Sequence, residues 1–279
     1  MENNNIVRNA VEFLLFNYFG LDRDDRGDRE RIIDKAIELA YWDATSQGAF
    51  NTLFTKTEFP DREAVNDFLT RVKGMSCLIK DGIMALYFSD VKIDFDEWHR
   101  GICLELVTEY KKICQELNSP TFRSDPKAFE FFSYGNAQKW VNMTMKNLYV
   151  ISGAYLALGG EGNEELFNAV AARSDEYHIP LDNLILGTIY KQKLIGNDKN
   201  YFVVKYGKKD PSYQIAYGDE GTDDSISWSN IGFWSIYKTF RKDLEDAIKE
   251  PPIEWECRNW IERKKRIKEL KGDLTTIDD

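Results

Sequence analysis

Apolar residues recur at three- and four-residue intervals in one segment after another of this chain, and a sequence with that period can fold into little other than packed helices. Residues 32–42 show it with Ile32, Ile33, Ala36, Leu39 and Ala40. Residues 63–87 sustain it through Val65, Phe68, Leu69, Val72 and Met75, after a start at Pro60-Asp61 and with Gly82 as the expected break. A further acidic start at Asp94-Phe-Asp-Glu-Trp98 leads into Ile102, Leu106, Val107, Tyr110 and Ile113, and residues 164–172 make a short helix. Residues 6–21 are apolar almost all round, so that helix is expected to be buried on more than one side.

One stretch breaks the pattern. Tyr201-Phe-Val-Val-Lys-Tyr206 and Tyr213-Gln-Ile-Ala-Tyr217 are β-rich runs separated by Gly207-Lys-Lys-Asp-Pro211, which reads as a hairpin. The expected fold is therefore mainly α: a multi-helical globular domain with a small β-hairpin inserted at about 201–217. No repeat and no long linker divides the chain, so 1–279 is expected to form a single compact helical domain. The alternative is two packed helical subdomains, about 1–125 and 126–279.

Charge and composition bound the function. With 43% hydrophobic residues in 279 the chain can build a substantial core, and its net charge of -10 argues against coating nucleic acid with its whole surface. The basic exception is residues 258–271, where Arg258, Arg263, Lys264, Lys265, Arg266, Lys268 and Lys271 stand against Glu262 and Glu269. That is a solvated face, or the place where a polyanion lands. Four cysteines without a CxxC pair fit a reducing compartment, and no apolar run approaches the roughly 18 residues that span a bilayer, so a cytoplasmic protein is expected. With only His99 and His178, a histidine-rich metal site is excluded, and His99 beside Cys103 at helical spacing reads as packing. Neither GxxxxGK[ST], GxGxxG nor GxSxG occurs in a usable setting, so no cofactor is expected and hydrolase triads are poor candidates. The acidic run at 22–30 lacks the ligand spacing of a calcium loop and reads as a connector.

The candidate site lies in the stretch from Phe132 to Tyr149. Gly135-Asn136 reads as a tight turn, and the helix after it carries Lys139 and Lys146 on one stripe with Gln138, Asn142 and Tyr149 on the next. Trp140, Met143 and Met145 stand among these polar groups, a mixture that suits a helix lining a cleft. Farther on, Asp182 precedes Leu184-Ile-Leu186 and is placed either to cap a helix or to act with Lys139. A lysine in a cleft becomes a nucleophile when burial lowers its pKa, because Lys146, about 10 Å along the axis, is too far away to do so alone.

The segment Gln138-Lys139-Trp-Val-Asn-Met-Thr-Met-Lys146-Asn-Leu-Tyr149, followed by Ile179-Pro-Leu-Asp182, resembles the lysine helix and Pro-x-Asp segment of helix-hairpin-helix DNA glycosylases, most closely the archaeal 8-oxoguanine branch. The likeness covers about residues 127–190. It implies that Lys139 attacks the sugar C1′ as a damaged base leaves, forming a Schiff base that permits strand cleavage, and that Asp182 assists. It also implies a flipped base in a pocket bordered by Trp140 or nearby aromatics. The stretch Gly135-x-x-Gln-Lys-Trp-x-Asn-Met-Thr144 with His178-x-Pro-x-Asp182 is similar, over more of the chain, to uncharacterised bacterial and phage proteins. Two other readings stand beside the enzyme. In one, the fold keeps a pocket without chemistry in which Lys139, Lys146, Gln138 and Asn142, with Gly135, Trp140 and His178 as further lining candidates, hold an anionic ligand such as a nucleotide, or a protein partner, in a phage defence or counter-defence setting. In the other, the whole stretch is a packing core.

Overall fold

A computed structural model describes residues 2–45, 62–117, 132–159, 162–182 and 234–275, together with Ile185, Thr188, Ile189, Gln192, Leu194 and Ile231. All regular structure among the described residues is helical. The helices are α1 (Glu2–Phe19), α2 (Arg29–Thr45), α3 (Arg62–Gly74), α4 (Ser76–Phe88), α5 (Phe95–Glu116), α6 (Tyr134–Ala157), α7 (Glu164–Ala172), α8 (Trp234–Ile248) and α9 (Pro252–Thr275). The hairpin expected at about 201–217 lies outside the described residues.

Local chemistry sets the ends. Gly20, at φ +62°, closes α1 with its N–H on the carbonyl of Phe16 at 2.9 Å, a left-handed end that costs glycine nothing. Asp94 caps α5 by accepting from the N–H of Glu97 at 3.0 Å. The break expected at Gly82 is instead at Met75, between α3 and α4. Gly82 lies inside α4 because α5 crosses there: a β-carbon on it would come 2.5 Å from Ile102 Cδ1, and Trp98 Nε1 donates to its carbonyl at 2.8 Å.

Gly135 and Asn136 also differ from expectation. They are the second and third residues of α6 and not a turn, because Ser133 and Asn136 form a capping box. Ser133 N–H donates to Asn136 Oδ1 at 3.0 Å, and Asn136 N–H to Ser133 Oγ at 3.4 Å. Phe132 and Ser133, just ahead of the capping box, are non-helical.

Helix α6 is the centre of the fold, with α2, α5 and α7 packed around it. Trp140 packs edge-on against Tyr41 of α2 at 5.2 Å between ring centroids, and its Nε1 donates to the carbonyl of Ile37 at 3.3 Å. Asn147 Nδ2 reaches the carbonyl of Ala36 at 3.0 Å. Trp140, Val141, Met145 and Leu148 of α6 and Ile33, Ala36, Ile37 and Tyr41 of α2 all belong to the buried core, and fully burying each large apolar side chain contributes about 1.5–3 kcal/mol. Helix α1 departs from the expectation of burial on several sides. Of its apolar residues, Leu15 is buried and Val11 and Phe19 pack in part, while Ile6, Val7, Phe13, Leu14, Phe16 and Tyr18 are exposed.

Candidate functional site

The polar residues of α6 turn towards the segment 178–182. Gln138 and Asn142, one helical turn apart, are both fully buried. Gln138 donates from Nε2 to the carbonyls of Gly135, at 2.9 Å, and Leu181, at 3.3 Å, while its Oε1 accepts the N–H of Leu181 at 3.4 Å. Asn142 Nδ2 donates to Gln138 Oε1 at 2.9 Å, to the carbonyl of Ile179 at 3.2 Å and to Tyr237 Oη of α8 at 2.8 Å. Two side-chain amides thus hold an irregular segment by its backbone, satisfying groups that would be costly to bury unpaired.

Behind them runs a chain of polar groups whose protons are determined by its two ends. The Ile179 carbonyl can only accept, which turns Asn142 Oδ1 to His99 Nε2 at 2.8 Å and makes that nitrogen the donor. His99 Nδ1 then accepts from Tyr134 Oη at 3.3 Å. At the other end, His178 Nε2 lies 2.8 Å from Asp96 Oδ1 and must carry the proton, leaving Nδ1 to accept from Tyr237 Oη at 3.2 Å. Both imidazoles are neutral: burial lowers their pKa well below the ordinary value, and His178 opposes a charge on His99, their ring centroids being 4.3 Å apart. Asp96 also pairs with Arg241, which bonds Glu245 at 2.8 Å, and all three line a surface cleft of about 690 Å³. Each nitrogen of the two rings has a protein partner, so the histidines hold the segment in place instead of meeting a ligand.

Lys139 lies on the side of α6 next to Gln138 and is half-buried. Burial lowers its pKa; Asp182 and Asp43 raise it, and Lys146 lowers it. Asp43, at the exposed end of α2, has its own pKa raised by desolvation, drawn down by Lys139 and Lys146 and raised again by Asp182. Three elements therefore bring one amine and two carboxylates within electrostatic reach of one another. Asp182 Oδ1 accepts the N–H of Ile185 at 2.8 Å, so the capping contact and the neighbourhood of Lys139 belong to the same carboxylate.

The remaining residues singled out in the sequence are placed as follows. Lys146 lies 2.8 Å from Glu256 Oε1 of α9, with side-chain exposures of 16% and 2%, and its Nζ stands over the Trp260 ring at 5.6 Å. Burial raises the pKa of Glu256 and Lys146 draws it down. Trp140 has no exposed surface and cannot border a pocket, because the α2 seam takes its ring. Gly135 is buried, its N–H donating to the carbonyl of Ile231 at 2.8 Å. His178 belongs to the polar chain. Among the described residues no group of three His, Cys, Asp or Glu could hold a metal ion, and no helix is long and apolar enough to cross a membrane.

The chain matches no family model, no protein of curated function and no solved structure. The site must be read from its own geometry. Asp43, Asp96, Tyr237 and Glu256 were not among the residues expected from sequence. Asp96 carried a visible signal only as a helix-start carboxylate, and Asp43 none beyond its place at the end of an amphipathic helix.

Proposed function

We infer that the chain is a lysine-dependent DNA glycosylase/lyase-type enzyme in which the Lys139 amine is the nucleophile and Asp182 its partner. The observation that carries this reading is the half-buried Lys139 amine, its pKa lowered by burial, set within the influence of Asp182 and Asp43. Neutral Lys139 attacks the sugar C1′. The bond to the base breaks, its electron pair leaves with the base nitrogen, and the base takes up a proton. The nitrogen of Lys139 passes its surplus proton to Asp182; the nitrogen lone pair then forms the C=N bond as the C1′–O4′ bond breaks, and Asp182 returns the proton to O4′, which leaves an imine. Loss of a C2′ proton then expels the 3′ phosphate, and water hydrolyses the imine to restore the amine.

Gln138 and Asn142 are positioning residues in this scheme. By gripping Ile179 and Leu181 they fix the backbone immediately before Asp182. Lys146 joins α6 to α9 through Glu256, and α9 carries the basic sequence 258–271, the part of an otherwise acidic chain whose composition suits phosphates.

A purely ligand-holding role is the weaker reading. Gln138 and Asn142 are bonded to protein groups, and Lys146 is paired with Glu256. Borohydride reduction in the presence of DNA containing an abasic site or 8-oxoguanine tests the proposal: a covalent adduct is expected from the native chain and none from Lys139→Ala.

A further inference from the structure

Arg241 sets a positive charge against the interior face of α8 and leaves one of its donors unanswered. Its Nη1 donates to Glu245 Oε1 at 2.8 Å, and its Nη2 donates to Asp96 Oδ2. Nε is buried as well, and it has no hydrogen-bond partner among the described residues. Buried donors without an acceptor are rare in folded proteins, and a guanidinium cannot escape the penalty by giving up its proton. The two carboxylates fix the plane of the group, so Nε cannot turn elsewhere.

Arg241 also lines a cavity of about 10 Å³ between α8 and the segment that Gln138 and Asn142 hold. Leu244 and Pro252 give this cavity an apolar wall, and Ile179, Leu181 and Glu245 bring acceptors to it. The carbonyls of Ile179 and Leu181 each accept one side-chain amide, at 3.2 Å and 3.3 Å, and each has a second lone pair. Glu245 adds the carboxylate oxygen that Arg241 Nη1 does not use.

A water molecule needs roughly 10–15 Å³ of such space and two to four polar partners. A larger solute does not fit. A monatomic anion would be set against Glu245, with Asp96 on the same guanidinium, and a cation would be set against Arg241 itself.

We propose that this cavity is the site of one buried water, which accepts the Nε–H of Arg241 and donates to Glu245 and to a carbonyl of the 179–181 segment. Arg241, Glu245 and Pro252 line the large surface cleft too, so the water enters from there. The backbone ahead of Asp182 is then held from two sides, by the amides of α6 and, through the water, by α8. This assignment does not depend on the chemistry of Lys139.

The test uses the full native chain and solvent water as the probe. An experimental crystal structure that resolves ordered water should show density in the cavity at roughly 2.7–3.2 Å from Arg241 Nε. In solution, the Hε resonance of Arg241, assigned by its loss in Arg241→Lys, should give a cross-peak to water of opposite sign in nuclear and rotating-frame Overhauser spectra. That sign marks a bound water, whereas a cross-peak of the same sign in both marks proton exchange at an open site and would overturn the proposal. If Arg241→Lys does not fold, the density alone decides. Nε bonded directly to a protein acceptor, a cavity without density, or a peak with anomalous signal after a bromide soak would each contradict the assignment.

Discussion

Gln138 holds Leu181 by both ends of its backbone: the side-chain amide donates to the Leu181 carbonyl at 3.3 Å, and the side-chain oxygen accepts the Leu181 N–H at 3.4 Å. The next residue is Asp182, so this pair of bonds transmits the position of α6 to the carboxylate beside Lys139.

Gln138→Ala breaks both bonds and strips Asn142 of one partner. Stability should fall by about 2 kcal/mol, from buried backbone groups left unpaired. Adduct formation should fall roughly tenfold or more, because misplacing a reacting group is costly. The distinguishing readout is the pH profile. If Asp182 withdraws, its charge no longer supports protonation of Lys139, and the acid limb of activity moves to lower pH. A loss of stability with an unmoved limb would mean that Gln138 only packs.

Asp43→Asn removes one of the two charges that hold the Lys139 proton. The amine should titrate at lower pH than in the native chain, measured by the pH dependence of reductive methylation at Lys139 followed by mass spectrometry. An unchanged titration would show that Asp43 is too well solvated to matter.

His99 and His178 are neutral in the folded protein and protonate freely when it unfolds, near the ordinary histidine value of about 6.5. Their folded pKa is depressed, so below pH 6.5 the unfolded chain binds more protons, and stability is lost as pH falls through that window. The slope is about 1.4 kcal/mol per histidine for each pH unit. Urea denaturation from pH 7 to pH 5 should show this acid sensitivity, reduced in His178→Gln. Equal slopes in the two proteins would contradict the neutral assignment of His178.

Removing one partner of the Lys146–Glu256 pair should cost more than removing both. Lys146→Met leaves a carboxylate 2% exposed without its cation and should destabilise by roughly 3 kcal/mol. Adding Glu256→Gln should recover more than half of that. Additive losses in a double-mutant cycle would show that the pair is not coupled.

The helical architecture was legible because period and caps are local: Asp94 capped where it was expected to, and the helix at 164–172 matches α7. What misled was local chemistry with two outcomes. Gly135-Asn136 suits a turn, but an asparagine three residues after Ser133 also completes a capping box, and the box formed. The apolar circumference of α1 suggested burial, which among the described residues is supplied on the side of Leu15. For the site, the excess of polar groups on α6 was visible, but their partners were not. The contact of Asn142 with His99 spans 43 residues and that of His178 with Asp96 spans 82, and no spacing rule encodes either.

The central claim is that Lys139 forms an imine with a nucleic-acid sugar. Its most direct measurement is borohydride reduction with DNA carrying an abasic site, followed by digestion and mass spectrometry of the adduct. The expected result is a sugar-derived mass on the peptide containing Lys139, formed faster as pH rises through the titration of that amine and lost in a folded Lys139→Ala protein. An adduct on another lysine, or none across abasic and oxidised substrates with folded protein, would contradict it.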